Sequence, residues 1–120
     1  MSKARVRLGR RGEDIAANEL ARRGYSIVAR NWRCETGEVD IVAERDGVTF
    51  FFEVRTRRGA DYGTPEESVT EEKLERMNDV ALIYLAEHDA GDIDWRTGLV
   101  AIEVNEAGRL QRLDIYDCLW

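Results

Sequence analysis

The apolar positions of this 120-residue chain change period several times, and each change marks an element. From Leu8 to Arg23 the spacing is helical, with Ala16, Ala17 and Leu20 on one stripe, and Gly24 follows as a residue suited to the left-handed C′ position. A first helix is expected there, behind a flexible tail of residues 1–6. Tyr25 to Ala29 reads as a strand, and Arg30-Asn31-Trp32-Arg33 as a polar turn leading out of it. Two β-rich runs come next, Val39 to Ala43 and Val48 to Val54. They flank Asp46-Gly47, a dipeptide that tolerates the two positive φ angles of a type I′ turn. With those two residues as the loop, Ile41 faces Phe52, Asp40 faces Glu53 and Glu38 faces Arg55. Alternation then puts Val39, Ile41, Phe50, Phe52 and Val54 on one face, and Glu38, Asp40, Glu53 and Arg55 at one end of the other. The run Phe50-Phe51-Phe52 is too apolar for a solvated strand and implies burial on both faces.

Thr56 to Pro65 reads as a basic, glycine-containing connection. Thr70 caps a second helix running to about Glu87, with Glu71 and Glu72 in its first turn and Leu74, Met77, Ala81, Tyr84 and Leu85 as its buried stripe. A linker through Ala90-Gly91-Asp92 leads to a strand over Leu99 to Val104, a turn from Asn105 to Gly108, and a last strand containing Leu113 and Ile115. The order helix, three strands, helix, two strands predicts a single α/β domain over 1–120: a mixed central β-sheet of about five strands, flanked by helices. A chain of this length holds one modest core and no second.

Composition narrows the possibilities. No stretch approaches 18 consecutive apolar residues and no signal region follows the basic N-terminus, so the expectation is a cytoplasmic protein without a membrane partner. Cys34, Cys118 and the single His88 lack the spacing of a structural zinc site; free thiols are expected, with His88 complementing a helix end. Trp32 is assigned to the core rather than to base stacking. The net charge of −6 conceals an asymmetry. Residues 1–33 hold nine Lys/Arg against three Asp/Glu, and the remainder nine against 21. A basic head of that kind can bind phosphate whatever the total charge, through Arg10 and Arg11 on the first helix; Arg57 and Arg58 beyond the hairpin either join them or, Arg58 above all, are merely solvated on a connector. Lys73 and Arg76, at i and i+3 on the second helix, either face the same nucleic acid or pair with the glutamates around them.

Asp40 opposite Glu53 is the chemical centre of this reading. Like charges directly opposed repel, and a divalent cation between them is the usual remedy. The bland alternative, an exposed edge neutralised by arginine, fits poorly beside three phenylalanines, because neighbouring buried carboxylates are costly unless paired or metal-bound. Glu13 shares the apolar stripe of the first helix, which puts a third carboxylate on a face otherwise meant for the core.

The residues Gly-Glu-Val-Asp at 37–40 and Glu-Val-Arg-Thr-Arg at 53–57, together with Gly12-Glu13, Gly24-Tyr25, Arg30-Asn31, Gly63-Thr64-Pro65-Glu66-Glu67, Val69, Lys73 and Arg76, resemble the YraN-like family of uncharacterised, predicted endonucleases. That family looks like a branch of the PD-(D/E)xK restriction-endonuclease-like superfamily, related to archaeal Holliday-junction resolvases. The resemblance implies a restriction-endonuclease-like fold and Mg²⁺ or Mn²⁺ held by Asp40, Glu53, the Val54 carbonyl and Glu13. It also implies hydrolysis of phosphodiester bonds in DNA, branched DNA included, and a homodimer where paired nicks are made. Two positions depart from it. Gly98 stands where the family usually has aspartate, and Arg55 where the superfamily has lysine. Arginine cannot act as a base, and its planar fork sits differently from an ammonium. Arg55 therefore either stabilises the transition state, with Lys73 substituting from the helix, or bridges Glu38 and Glu53 in the cation's place. The second option leaves a nucleic-acid-binding module without activity. A third reading, a protein-interaction domain on the same scaffold, uses the acidic C-terminal part as its surface.

Overall fold

The structure is a computed structural model and describes residues 3–59 and 63–119. Helix α1 (Lys3–Arg22) is followed by strands β1 (Ser26–Cys34), β2 (Gly37–Arg45) and β3 (Val48–Arg58), a 3-10 turn at Glu66–Ser68, helix α2 (Glu71–Glu87), and strands β4 (Asp94–Val104) and β5 (Leu110–Tyr116). The five strands form one mixed sheet in sequence order, antiparallel except for β3 and β4, which run parallel across the α2 crossover. This is the architecture expected above, and it is consistent with a restriction-endonuclease-like fold. No helix among the described residues is long and apolar enough to cross a membrane.

Each helix covers one face. From α1, Ala16 and Leu20 pack on Ile41, Phe50, Phe52, Val100 and Ile102; from α2, Val80, Ala81, Tyr84 and Leu85 pack on Val42 and Phe51. The three phenylalanines are buried because they point alternately into both layers. Trp32 stands edge-on to Tyr84 at 5.1 Å, half-buried against the α2-side core. Thr70 caps α2 by accepting from the Lys73 N–H at 3.1 Å, and His88 at the other end turns Nδ1 to the Tyr84 carbonyl at 2.7 Å. Asp46 and Gly47 have φ of 53° and 78°, as a type I′ turn requires, and Arg45 pairs with Val48 in the expected register.

Several boundaries differ from the sequence reading. α1 begins at Lys3, so residues 3–6 are helical rather than tail; nothing in Lys-Ala-Arg-Val opposes a helix. Residues 30–33, read as a turn, continue β1, whose period is disguised by a register shift around Val28 and by Asn31 at φ 53°. β3 runs on to Arg58, and β4 starts within the expected linker. Cys34 and Cys118 are free, as expected.

Gly98 is a packing necessity. A Cβ there would lie 2.6 Å from both the Phe52 ring and the Tyr116 carbonyl oxygen. Neither can yield, since one is in the core and the other is main chain. Gly98→Ala is expected to destabilise by about 1–3 kcal/mol, read as a lower urea midpoint; an unchanged midpoint would refute the account.

The Gly63–Glu67 stretch carries a clamp with no local sequence signature. Glu66 receives Arg112 through two bonds, of 2.7 and 2.9 Å, and the Tyr116 hydroxyl at 2.7 Å. Arg112 also holds Glu103 and Asp114. The guanidinium lowers the Glu66 carboxyl from 4.5 to about 2. A depressed carboxylate contributes stability above its unfolded pKa, and that contribution is lost as pH falls through about 2. Glu66→Gln is therefore expected to cost about 1–2 kcal/mol at neutral pH and almost nothing near pH 2, measured by urea unfolding at both.

Candidate functional site

The hairpin ladder stops at Ile41–Phe52, one pair short of Asp40 and Glu53. Here the alternation of β2 breaks: Val39 packs on the α2 side, whereas Ile41 packs on the α1 side, so the two do not share the face expected of them. Asp40, between them, turns into the gap between the parting strands. There its carboxylate accepts the Val54 N–H at 2.7 Å, taking the place of the main-chain acceptor that a continued ladder would supply. Glu53 projects from β3 into the same gap, on the side that α2 covers.

The two carboxyl groups are close enough to share a hydrogen bond. Burial first, then Glu53's hydrogen bond and charge, push the Asp40 carboxyl from 3.8 to about 9, while the Val54 N–H pulls the other way. Asp40 is only 9% exposed. In a site this dry, one proton held between two carboxyl groups is the expected ground state.

The surroundings of Glu53 separate the two candidate cations. Lys73 Nζ lies 2.8 Å from its Oε2 and Arg55 Nη2 3.4 Å from the same oxygen. Lys73 reaches it because the Thr70 cap starts α2 beside the site, with Lys73 in its first turn. Arg55 contributes the longer contact, and its Nε is buried without a partner. Glu38 does not join them. It is exposed and pairs across to Arg33 on β1 at 2.5 Å, so the expected Glu38–Arg55 contact is not made. The parting of β2 from β3 is the cause.

Glu13 approaches from α1. Its Oε1 is buried without a hydrogen bond, with Arg30 Nη2 at 3.9 Å. Desolvation raises its pKa, against the pull of Asn31 and Arg30. Glu13 reaches α1's inner face because Gly12 beside it has no side chain; a Cβ at Gly12 would lie 1.9 Å from Thr56 Oγ1 on β3. Among the described residues no three His, Cys, Asp or Glu side chains come together as a metal cluster. Asp40 and Glu53 are thus the convergent pair, and Glu13 stands behind them.

The remaining basic residues divide. Arg76 pairs along the helix with Glu72 at 3.5 Å and lays its stem against Gly37, which is the bland reading of that residue. Arg57 is half-buried and donates to its neighbour's carbonyl, Thr56 O, at 3.3 Å. Arg10 and Arg58 are exposed, and Arg11 donates to the Gly108 carbonyl. Residues 60–62 of the expected basic connection lie outside the described residues.

Comparison with known proteins gives a consistent picture. The profile described as uncharacterised protein family UPF0102 matches residues 12–115. A UPF0102 protein of Roseiflexus castenholzii is 51% identical over 105 residues, covering 87% of this chain and 85% of that protein. One from Acidothermus cellulolyticus is 51% identical over 96 residues, 79% and 72% of the two chains, and one from Symbiobacterium thermophilum is 44% identical over 105, 88% and 89%.

Proposed function

The chain belongs to the UPF0102 family, and we propose that it is a metal-dependent nuclease of the PD-(D/E)xK type, hydrolysing phosphodiester bonds of DNA, with branched DNA among its substrates. The observation that carries this reading is the buried Asp40–Glu53 pair where β2 and β3 part, with the Lys73 ammonium 2.8 Å from Glu53.

Two inward-turned carboxylates in a dry gap suit a hard dication, and the unpartnered Glu13 oxygen behind them adds negative potential without competing for the pair. Asp40 and Glu53 would hold Mg²⁺ or Mn²⁺, which would supply Lewis acidity to acidify a water and offset charge on the phosphoryl oxygens. The chain's own groups do the rest. Asp40 gives up its proton on engaging the cation, and the Val54 N–H holds the carboxylate in place. Lys73, 2.8 Å from Glu53, would use its ammonium to orient an attacking water and to stabilise charge on a non-bridging oxygen. Arg55 fixes Glu53, and a guanidinium does not serve as a base. In this reading the lysine of the superfamily pattern is supplied by α2 rather than by β3.

One observation favours a second reading. Lys73 and Arg55 together already give Glu53 two cations, which suits a nucleic-acid-binding module without activity. Calorimetric titration of Mg²⁺ and Mn²⁺ into the wild type and Asp40→Asn, followed by nicking assays on branched and linear DNA, separates the two. Metal binding that Asp40→Asn abolishes, with metal-dependent nicks, is the expected result. A wild type that binds no metal sinks the nuclease and leaves the binding module.

A further inference from the structure

Far along the same sheet, the turn between β4 and β5 gathers arginines from three elements. Arg11 of α1 donates through Nη1 to the Gly108 carbonyl. A Cβ placed on Gly108 would lie 2.9 Å from that same Nη1 and 3.6 Å from Arg58 Nη2, so both guanidinium groups rest against one buried glycine. Arg109 follows it, exposed, as is Arg58. Among the described residues, none of Arg10, Arg11, Arg58 and Arg109 has a carboxylate oxygen within 4.0 Å. Glu106, in the same turn, is directed at Gly59 instead. In a chain whose net charge is −6, most of the other arginines among the described residues have a carboxylate partner there, and this group does not.

Converging guanidinium groups repel one another, and their fixed forks match the paired non-bridging oxygens of a phosphodiester. We infer that Arg11, Arg58 and Arg109 form a phosphate-binding site on the β4–β5 turn, which grips the backbone of duplex nucleic acid away from the carboxylate pair. The inference rests on the nucleic-acid reading above and adds Arg109, which no motif marks. Arg58 lies five residues beyond Glu53 on β3, roughly 17 Å at 3.4 Å per residue. That odd spacing turns Arg58 to the face that α1 covers, whereas Glu53 faces α2. The site is therefore separate from the carboxylate pair and leaves the reacting phosphate free. Arg11 positions the turn through Gly108 while keeping its other N–H groups for the ligand.

The test uses a fluorescently labelled 20-base-pair duplex without metal, so that the chemistry at Asp40 plays no part. Anisotropy gives the dissociation constant between 50 and 200 mM salt for the wild type, for Arg58→Ala/Arg109→Ala, and for Arg96→Ala, an exposed arginine near the start of β4. The double variant is expected to lose close to two units of log–log salt slope, so that its affinity falls about tenfold less than the wild type's across that range. Arg96→Ala should keep the wild-type slope. A double variant with that slope overturns the phosphate site while the nucleic-acid reading stands. Wild-type protein showing no salt-dependent binding overturns both.

Discussion

Lys73→Met is expected to lower metal-dependent nicking by about 10²–10³-fold, the usual consequence of removing one fixed donor from a developing oxyanion. Arg55→Met should cost far less, and Arg55→Lys should restore nothing. The asymmetry follows from geometry: Lys73 Nζ is 2.8 Å from Glu53 and Arg55 Nη2 is 3.4 Å away. Metal affinity provides a readout independent of chemistry. Lys73 competes with a dication for Glu53, so Lys73→Met should bind Mg²⁺ at least as tightly as the wild type even as turnover collapses. Arg76, paired with Glu72 four residues away, serves as the matched control from the same helix. Larger losses in Arg55→Met than in Lys73→Met would return the catalytic cation to β3 and overturn the assignment.

That assignment was only half legible in the sequence. The register of the hairpin could be read because Asp46-Gly47 permits one turn type and alternation does the rest, and Ile41 does face Phe52. The same logic, continued by three pairs, put Asp40 opposite Glu53 and Glu38 opposite Arg55. It failed there because Asp40 binds the Val54 N–H and ends the ladder, a competition between side chain and main chain that no period records. Failure of the pattern and location of the candidate site coincide, as the proposed function would require where local rules yield to a site. Lys73 was a candidate by residue type, but its reach depends on where α2 lands, set by the Thr70 cap and by packing of Val80, Ala81 and Tyr84. The Glu66–Arg112 clamp and the Arg11–Gly108 contact join residues 46 and 97 positions apart, distances over which one sequence carries no signal.

Asp40→Asn should produce the opposite movements of stability and function that mark a site strained by design. In the metal-free protein the Asp40 carboxyl keeps its proton up to about pH 9, against 3.8 unfolded. A raised carboxyl binds its proton more tightly when folded, so its contribution to stability is complete below pH 3.8, declines as pH rises and is gone above about 9. Asparagine mimics the protonated acid: its oxygen can accept the Val54 N–H and its amide can donate to Glu53, at no ionisation cost. Without metal, Asp40→Asn is therefore expected to be more stable than the wild type. The gap should grow with pH by up to about 1.4 kcal/mol per unit and level off above about pH 9. Metal reverses the comparison. Engaging a dication requires the Asp40 proton to leave, so Mg²⁺ affinity should rise as much as tenfold per pH unit below about 9, with one proton released. Calorimetry in two buffers of different ionisation enthalpy counts that proton, and urea midpoints at about pH 6 and 8 follow the gap in stability. A variant less stable than the wild type at the higher pH, or an Mg²⁺ affinity flat between the two, would show that the Asp40 carboxyl is ionised in the folded protein and that the shared proton is absent.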